Sequence, residues 1–204
     1  MNHLLFRARS LRGAPFAVAA VAALAGCSEE RTPSRGTASV APVSAGPLAR
    51  TPITFPAGPL DEAALATLPP AEAVKVGASP VPVWVPRGRF AEVRFVAEPG
   101  FYTYFGVADA TLPDGRVSRA TVAVQGTRFA HEHGEFPRDL STHSMRATRG
   151  LFTINEGIAT TTWVEGGASY SVDVECSVPG DARCADERFV LELTNGLAFV
   201  GGRK

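Results

Sequence analysis

The 204-residue chain has no excess of either charge, only 3 cysteines and 4 histidines, and no apolar run long enough to span a bilayer. Each shortage excludes something. Twenty basic residues balance twenty acidic ones, so the basic footprint that nucleic-acid binding requires is missing. The apolar run near the N-terminus, Ala14 to Ala25, has twelve residues, against about 20 for a membrane-spanning helix. No G-x-S-x-G nucleophile turn, no H-E-x-x-H helix motif, no glycine-rich phosphate loop and no repeat of fixed period is found. What remains is ordinary: 45% hydrophobic and 20% charged residues, with room for one domain.

The N-terminus reads as a targeting signal. Arg7, Arg9 and Arg12 precede the apolar run, which ends in Leu24-Ala25-Gly26-Cys27. That ending resembles the bacterial lipobox: an aliphatic residue, two small ones, then the cysteine that receives diacylglycerol before cleavage. The resemblance implies a signal peptide over residues 1–26 and acyl chains on Cys27, palmitate among them, that anchor the protein in a membrane with its domain outside the cytoplasm. Ser28 stands where an aspartate would resemble the inner-membrane retention signal, so the outer membrane is favoured. The alternative is an ordinary secretory signal cleaved near Gly26, which leaves Cys27 as an odd exported thiol. Removing residues 1–26 leaves 17 basic against 20 acidic residues, a net charge of −3.

Residues 27–59 have linker composition, with six prolines between Pro33 and Pro59 and no sustained hydrophobic period. They are expected to act as a flexible tether with a reach of roughly 30 Å. A single domain is expected over residues 60–204. Asp61 caps a short helix predicted to run to Leu68 and to stop at Pro69-Pro70. Strands follow at Val81–Pro86, Glu92–Ala97, Phe101–Val107, Val117–Thr127, Leu151–Asn155, Ile158–Val164 and Ala168–Cys176. The last alternates most cleanly, with Tyr170, Val172 and Val174 on one face and Ser171, Asp173 and Glu175 on the other. Residues 128–149 lack a period and read as a long loop. In the final segment Phe189, Val190, Leu193 and Leu197 suit a helix with Asp186 and Glu187 at its start, while Asn195-Gly196 also suits a hairpin; the helix is favoured. The expected fold is α+β: a curved antiparallel sheet of six or seven strands, a C-terminal helix on one face and a short N-terminal helix.

Cys176 and Cys184 flank a short turn containing Pro179-Gly180, and in an exported chain they are expected to form a structural disulfide of about 2–3 kcal/mol. A redox-active pair would have the two-residue spacing that lowers a thiol pKa. From Trp163 to Gly202, the W-x-E-x-G-x-x-Y pattern, the alternating strand and the helix-like end resemble the C-terminal part of extracytoplasmic regulators and lipoprotein-sorting proteins. The cysteine pair and closing Val200-Gly201-Gly202 look more like a group of uncharacterised exported lipoproteins. These resemblances support the fold and carry over no catalytic residues.

Chemistry-bearing side chains cluster in two places. The string His131-Glu132-His133-Gly134-Glu135, with His143 beyond it, offers imidazoles at a spacing that would share a strand face and suit zinc or copper; a solvated polar loop explains the same residues. The phrase FYTYFGV places Tyr102 and Tyr104 on one face and Phe101 and Phe105 on the other. Either the strand is buried on both sides, or one aromatic pair lines an apolar groove for a ligand or partner. The carboxylate pairs Glu132 with Glu135, and Asp173 with Glu175, read as solubility before acid–base work. These residues point to a noncatalytic, membrane-anchored binding module of the cell envelope, with no cofactor and no nucleic acid, whose partner is an envelope protein or a small apolar ligand. The alternative is a metal-binding protein or metal-dependent enzyme built on His131, His133 and His143.

Overall fold

Strands form where side chains alternate and the turns between them are chemically suited to reverse the chain. β1 (Val83–Val85) comes first. β2 (Ala91–Glu98) and β3 (Phe101–Thr111) are joined at Pro99-Gly100, and β3 is joined to β4 (Val117–Thr127) through Leu112-Pro113-Asp114-Gly115-Arg116. In the latter turn Asp114 Oδ1 accepts from the Arg116 amide at 3.0 Å. β5 (Thr142–Met145), β6 (Thr148–Asn155), β7 (Ile158–Glu165), β8 (Ala168–Cys176) and β9 (Ala198–Gly201) complete the set. The computed structural model describes residues 52–129 and 142–203. Seven strands make one antiparallel sheet in the order β2-β3-β4-β8-β7-β6-β5, and β1 pairs with β9 in a second, two-stranded sheet. The fold is an antiparallel α+β arrangement with little helix.

One row across the main sheet shows how the covered face is built. Tyr102 pairs with Gly126, Gly126 with Tyr170, Tyr170 with Trp163, Trp163 with Gly150, and Gly150 with His143. Gly126 is glycine because two rings lie over it: a Cβ there would clash with Tyr102 and come within 2.8 Å of Tyr170. Trp163 stacks on Tyr170 at 5.3 Å and Phe95 on Tyr102 at 5.6 Å. The small sheet covers these rings. The Tyr102 hydroxyl accepts from the Trp84 amide at 3.0 Å and donates to the Trp84 carbonyl at 3.2 Å, while the Tyr170 hydroxyl donates to Pro82 O at 3.3 Å.

A second tie comes from Arg146, in the β5–β6 turn, where Arg146 and Ala147 both have positive φ (49° and 65°) as a two-residue hairpin of this hand requires. Its guanidinium lies 3.5 Å from the Trp84 ring centroid, donates to Leu197 O at 2.8 Å and pairs with Glu165 at 3.0 Å. Glu165 also accepts from the Trp163 indole N–H at 3.1 Å.

Helices are short. α1 (Glu62–Leu65) is capped by Asp61, whose carboxylate accepts from the Ala64 amide at 2.9 Å. It ends earlier than the predicted Leu68: the Thr67 and Leu68 amides donate three residues back, to Ala64 O and Leu65 O at 3.1 Å, as the chain tightens ahead of Pro69, and Pro70 then starts α2 (Pro70–Ala73) as its first residue. Glu72 of α2 turns inward and accepts from the Phe95 amide of edge strand β2 at 2.6 Å and from Lys75 at 2.8 Å. α3 (Ala182–Ala185) follows β8, and the expected disulfide between Cys176 and Cys184 joins them, with Cα atoms 6.0 Å apart. Asp181 caps α3 and is chelated by Arg183, which also donates to Ala108 O and Ser118 O at 2.7 and 2.8 Å.

α4 (Arg188–Asn195) takes the helix reading of the final segment, and Gly196 closes it, although with φ −85° it is not in a left-handed conformation. Asp186 accepts from the Arg188 amide at its start. Val190 and Thr194, one turn apart, are buried, and Thr194 meets Thr161 of β7 at 2.7 Å.

Three expectations need correction. Val81–Pro86 does not join the main sheet: β1 pairs with β9, a strand the sequence reading left unassigned, because Gly196 both ends α4 and frees Ala198–Gly201 to extend. The span 128–149 is not all loop, since β5 and the start of β6 lie inside it; their side chains carry too few hydrophobic residues to show a period. Packing also begins before residue 60. Ile53 and Phe55 pack against the core, and the Thr54 amide donates to Gly166 O at 2.8 Å. Gly166 itself has φ +58°, and a Cβ on it would sit 2.5 Å from Thr54 O.

Candidate functional site

The main sheet has a second face, and on it, among the described residues, the small sheet and α4 have no counterpart. Its composition follows from strand parity. If Tyr102, Tyr104, Val122, Val124, Val172 and Val174 point into the core, then Phe101, Thr103, Phe105, Thr121, Ala123, Ser171, Asp173 and Thr160 point away. The register aligns them in rows: Phe105 opposite Ala123, Ala123 opposite Asp173, Asp173 opposite Thr160. The next row runs Thr121, Glu175, Ile158 and Asn155.

Those two rows form a shallow groove of about 340 Å³ across β3, β4, β8, β7 and the end of β6, near the lower limit for small-molecule sites. Phe105, Ala123 and Ile158 supply apolar floor and wall. Phe105 is 40% exposed, large for a phenylalanine in the second strand of a seven-stranded sheet. Asp173 is held in place: its carboxylate accepts from Thr160 Oγ1 at 2.7 Å and from Gln125 at 3.4 Å. Glu175 stands beside it without a basic residue in the groove lining. The site can therefore take an apolar body and a positive charge.

A larger, more open depression of about 760 Å³ lies along α4, lined by Asp186, Glu187, Arg188, Leu191, Glu192 and Asn195. All six come from one helix and its lead-in, so among the described residues no second element shapes it.

The aromatic residues singled out from sequence divide. Tyr102 and Tyr104 are core, at 0% and 2% exposure, and burial raises the pKa of both hydroxyls. Phe101 and Phe105 are on the open face, as their parity requires. His143 lies on β5, with Nε2 3.2 Å from Glu187 and its ring edge-on to Phe152 at 6.1 Å. His131, His133 and their glutamates Glu132 and Glu135, like Cys27, lie outside the described residues. Among the described residues no three His, Cys, Asp or Glu side chains converge as a metal-ligand set. Nor is any described helix long and apolar enough to cross a membrane. Missed from sequence were Thr160, Ile158 and Thr121: only the strand register sets them beside Phe105 and Asp173.

No family model, curated protein or solved structure matches the chain.

Proposed function

We propose that the protein is a lipid-anchored, noncatalytic binding module of the bacterial cell envelope, attached through Cys27 and presenting the open face of its sheet to a ligand or partner segment with apolar and cationic character. Outer-membrane attachment fits the serine after Cys27. In the finer picture the sheet is curved and α4 lies across the covered face, leaving the opposite face for recognition. The observation that carries the reading is the groove at Phe105: a half-exposed phenylalanine and Ile158 beside Asp173 and Glu175, an apolar floor next to two carboxylates with no basic residue in the lining.

The test is titration of the Cys27→Ser chain, which needs no detergent, with the apolar dye Nile red. A Phe105→Ser, Ile158→Ser variant should bind about tenfold more weakly, a loss of about 1.4 kcal/mol. Val117→Ser, which removes an exposed valine outside the groove, should leave binding unchanged. Equal binding by the groove variant and the parent overturns the reading.

A further inference from the structure

The two ends of the main sheet differ in chemistry, and the chain arrives at only one of them. Thr54, the first residue hydrogen-bonded to the sheet, meets Gly166 in the β7–β8 turn. The register places that turn at the same end as the β2–β3 turn, the β5–β6 turn and the finish of β4: Phe101, Thr127, Ser169 and Val164 form one cross-strand row there. On this end Phe101 is 41%, Val164 50% and Phe129 55% exposed. Phe129 lies against Gly100 of the β2–β3 turn, so the phenylalanines are neighbours. Arg128 and Glu98 are exposed at the same end. Glu165 is already occupied by Arg146 and Trp163.

The opposite end is acidic. Glu92, Asp109, Asp114, Glu156 and Glu175 crowd it, and Arg119 and Arg116 are each committed to carboxylates there.

We infer that the end bearing Phe101, Phe129 and Val164 rests on the surface of the bilayer that holds the Cys27 lipid, an inference that rests on lipidation at Cys27. The argument is one of tether and chemistry. Twenty-six residues separate Cys27 from Thr54; a flexible linker of that length has a root-mean-square span of about 28 Å, close to the length of an eight-residue strand. The entry end therefore has the higher effective concentration at the membrane. Phenylalanine rings enter the acyl boundary, and a guanidinium such as that of Arg128 pairs with a lipid phosphate. An anionic surface repels the carboxylate-rich end. The occupant is thus a lipid surface, and the groove at Phe105 and Glu175 is left facing away from the headgroups.

The experiment uses the full lipidated chain in vesicles of phosphatidylethanolamine and phosphatidylglycerol. Its three cysteines are occupied by lipid and disulfide, so Phe129→Cys or Asp114→Cys supplies a single site for a fluorophore. Nitroxide-bearing lipids should quench the label at position 129, which would sit within about 10 Å of the headgroup and acyl boundary, and spare the label at 114. Adding Phe101→Ser should reduce the quenching at 129, with thermal melting confirming that the variant is folded. Equal quenching at 129 and 114 on membrane-retained protein overturns the docking alone. Release of the chain from vesicles together with a mass lacking acyl chains overturns the lipid anchor and the docking with it.

Discussion

Along β3 the tyrosines and phenylalanines alternate, yet the two sets meet opposite surroundings. Hydrophobicity alone would bury Phe101 and Phe105 and leave Tyr102 and Tyr104 wet; the structure does the reverse. The reason lies in what covers them. β1 has three residues and an irregular register at Val83 and Trp84, so its backbone cannot satisfy itself by pairing with β9 alone. A phenylalanine on the covered face would leave the Trp84 N–H and C=O buried without partners. Tyr102 satisfies both with one hydroxyl, and so joins the two sheets while filling the core. The phenylalanines carry no polar tip and lie on the side where, among the described residues, no second layer requires one. An aromatic's place in this sheet is thus decided by the polar needs of the layer it meets.

The sharpest way to break that comparison is to remove a residue from each side. Tyr102→Ala should destabilise the domain by about 4 kcal/mol, since it opens a cavity under Phe95 and strips the Trp84 backbone of its partner. Tyr102→Phe, which keeps the ring, should still cost about 2 kcal/mol. Chemical denaturation with a two-state fit measures both, and a cost for Tyr102→Phe near zero would remove the bridging argument.

Carboxylates offer the next contrast. Asp181 is buried against Arg183, which holds its carboxyl well below the usual range, while Asp173 lies on the open face. Asp181→Asn should cost about 3 kcal/mol, because Arg183 is left without its counter-charge. The sign with pH follows from the lowered pKa. The unfolded carboxyl takes up its proton first, so the contribution is complete above about pH 4 and is lost as the pH falls through the depressed folded value. Unfolding free energies measured from neutral to acid pH should therefore fall less steeply for Asp181→Asn than for the parent. Glu72, lowered by Lys75 and by the Phe95 amide, contributes with the same sign. Asp173→Asn, on the open face, should change stability by no more than about 0.5 kcal/mol.

The smallest effect belongs to the open face. Phe101→Ser and Phe105→Ser should each change stability by no more than about 0.5 kcal/mol. A loss of 2 kcal/mol or more would make these rings part of a packed layer and end the contrast between faces.

Much of the fold was legible before any coordinates. Strand parity in β3 and β8, the Asp61 cap, the C-terminal helix and the cysteine pair are local signals, set by side-chain alternation, capping chemistry and short loop closure. Local signals stop where a segment's partner is distant. Nothing near Ala198–Gly201 shows that it pairs with Val83–Val85 more than a hundred positions earlier, and β5 has too few apolar residues to announce itself. The candidate site shares this limit. Phe105 and Asp173 were each visible, but their neighbourhood arises only when β4 is inserted between β3 and β8 in a fixed register.

The sequence by itself determined the periods, the turns, the disulfide spacing and which side chains share a face, because each depends on residues a few positions apart. Only the tertiary structure decided which face was covered, since that depends on where the ends of the chain return. The β1 and β9 pair, Arg146 over Trp84 and the hydroxyls of Tyr102 and Tyr170 settle it for the tyrosine face. Burial there is a property of two distant segments meeting, which no local pattern encodes.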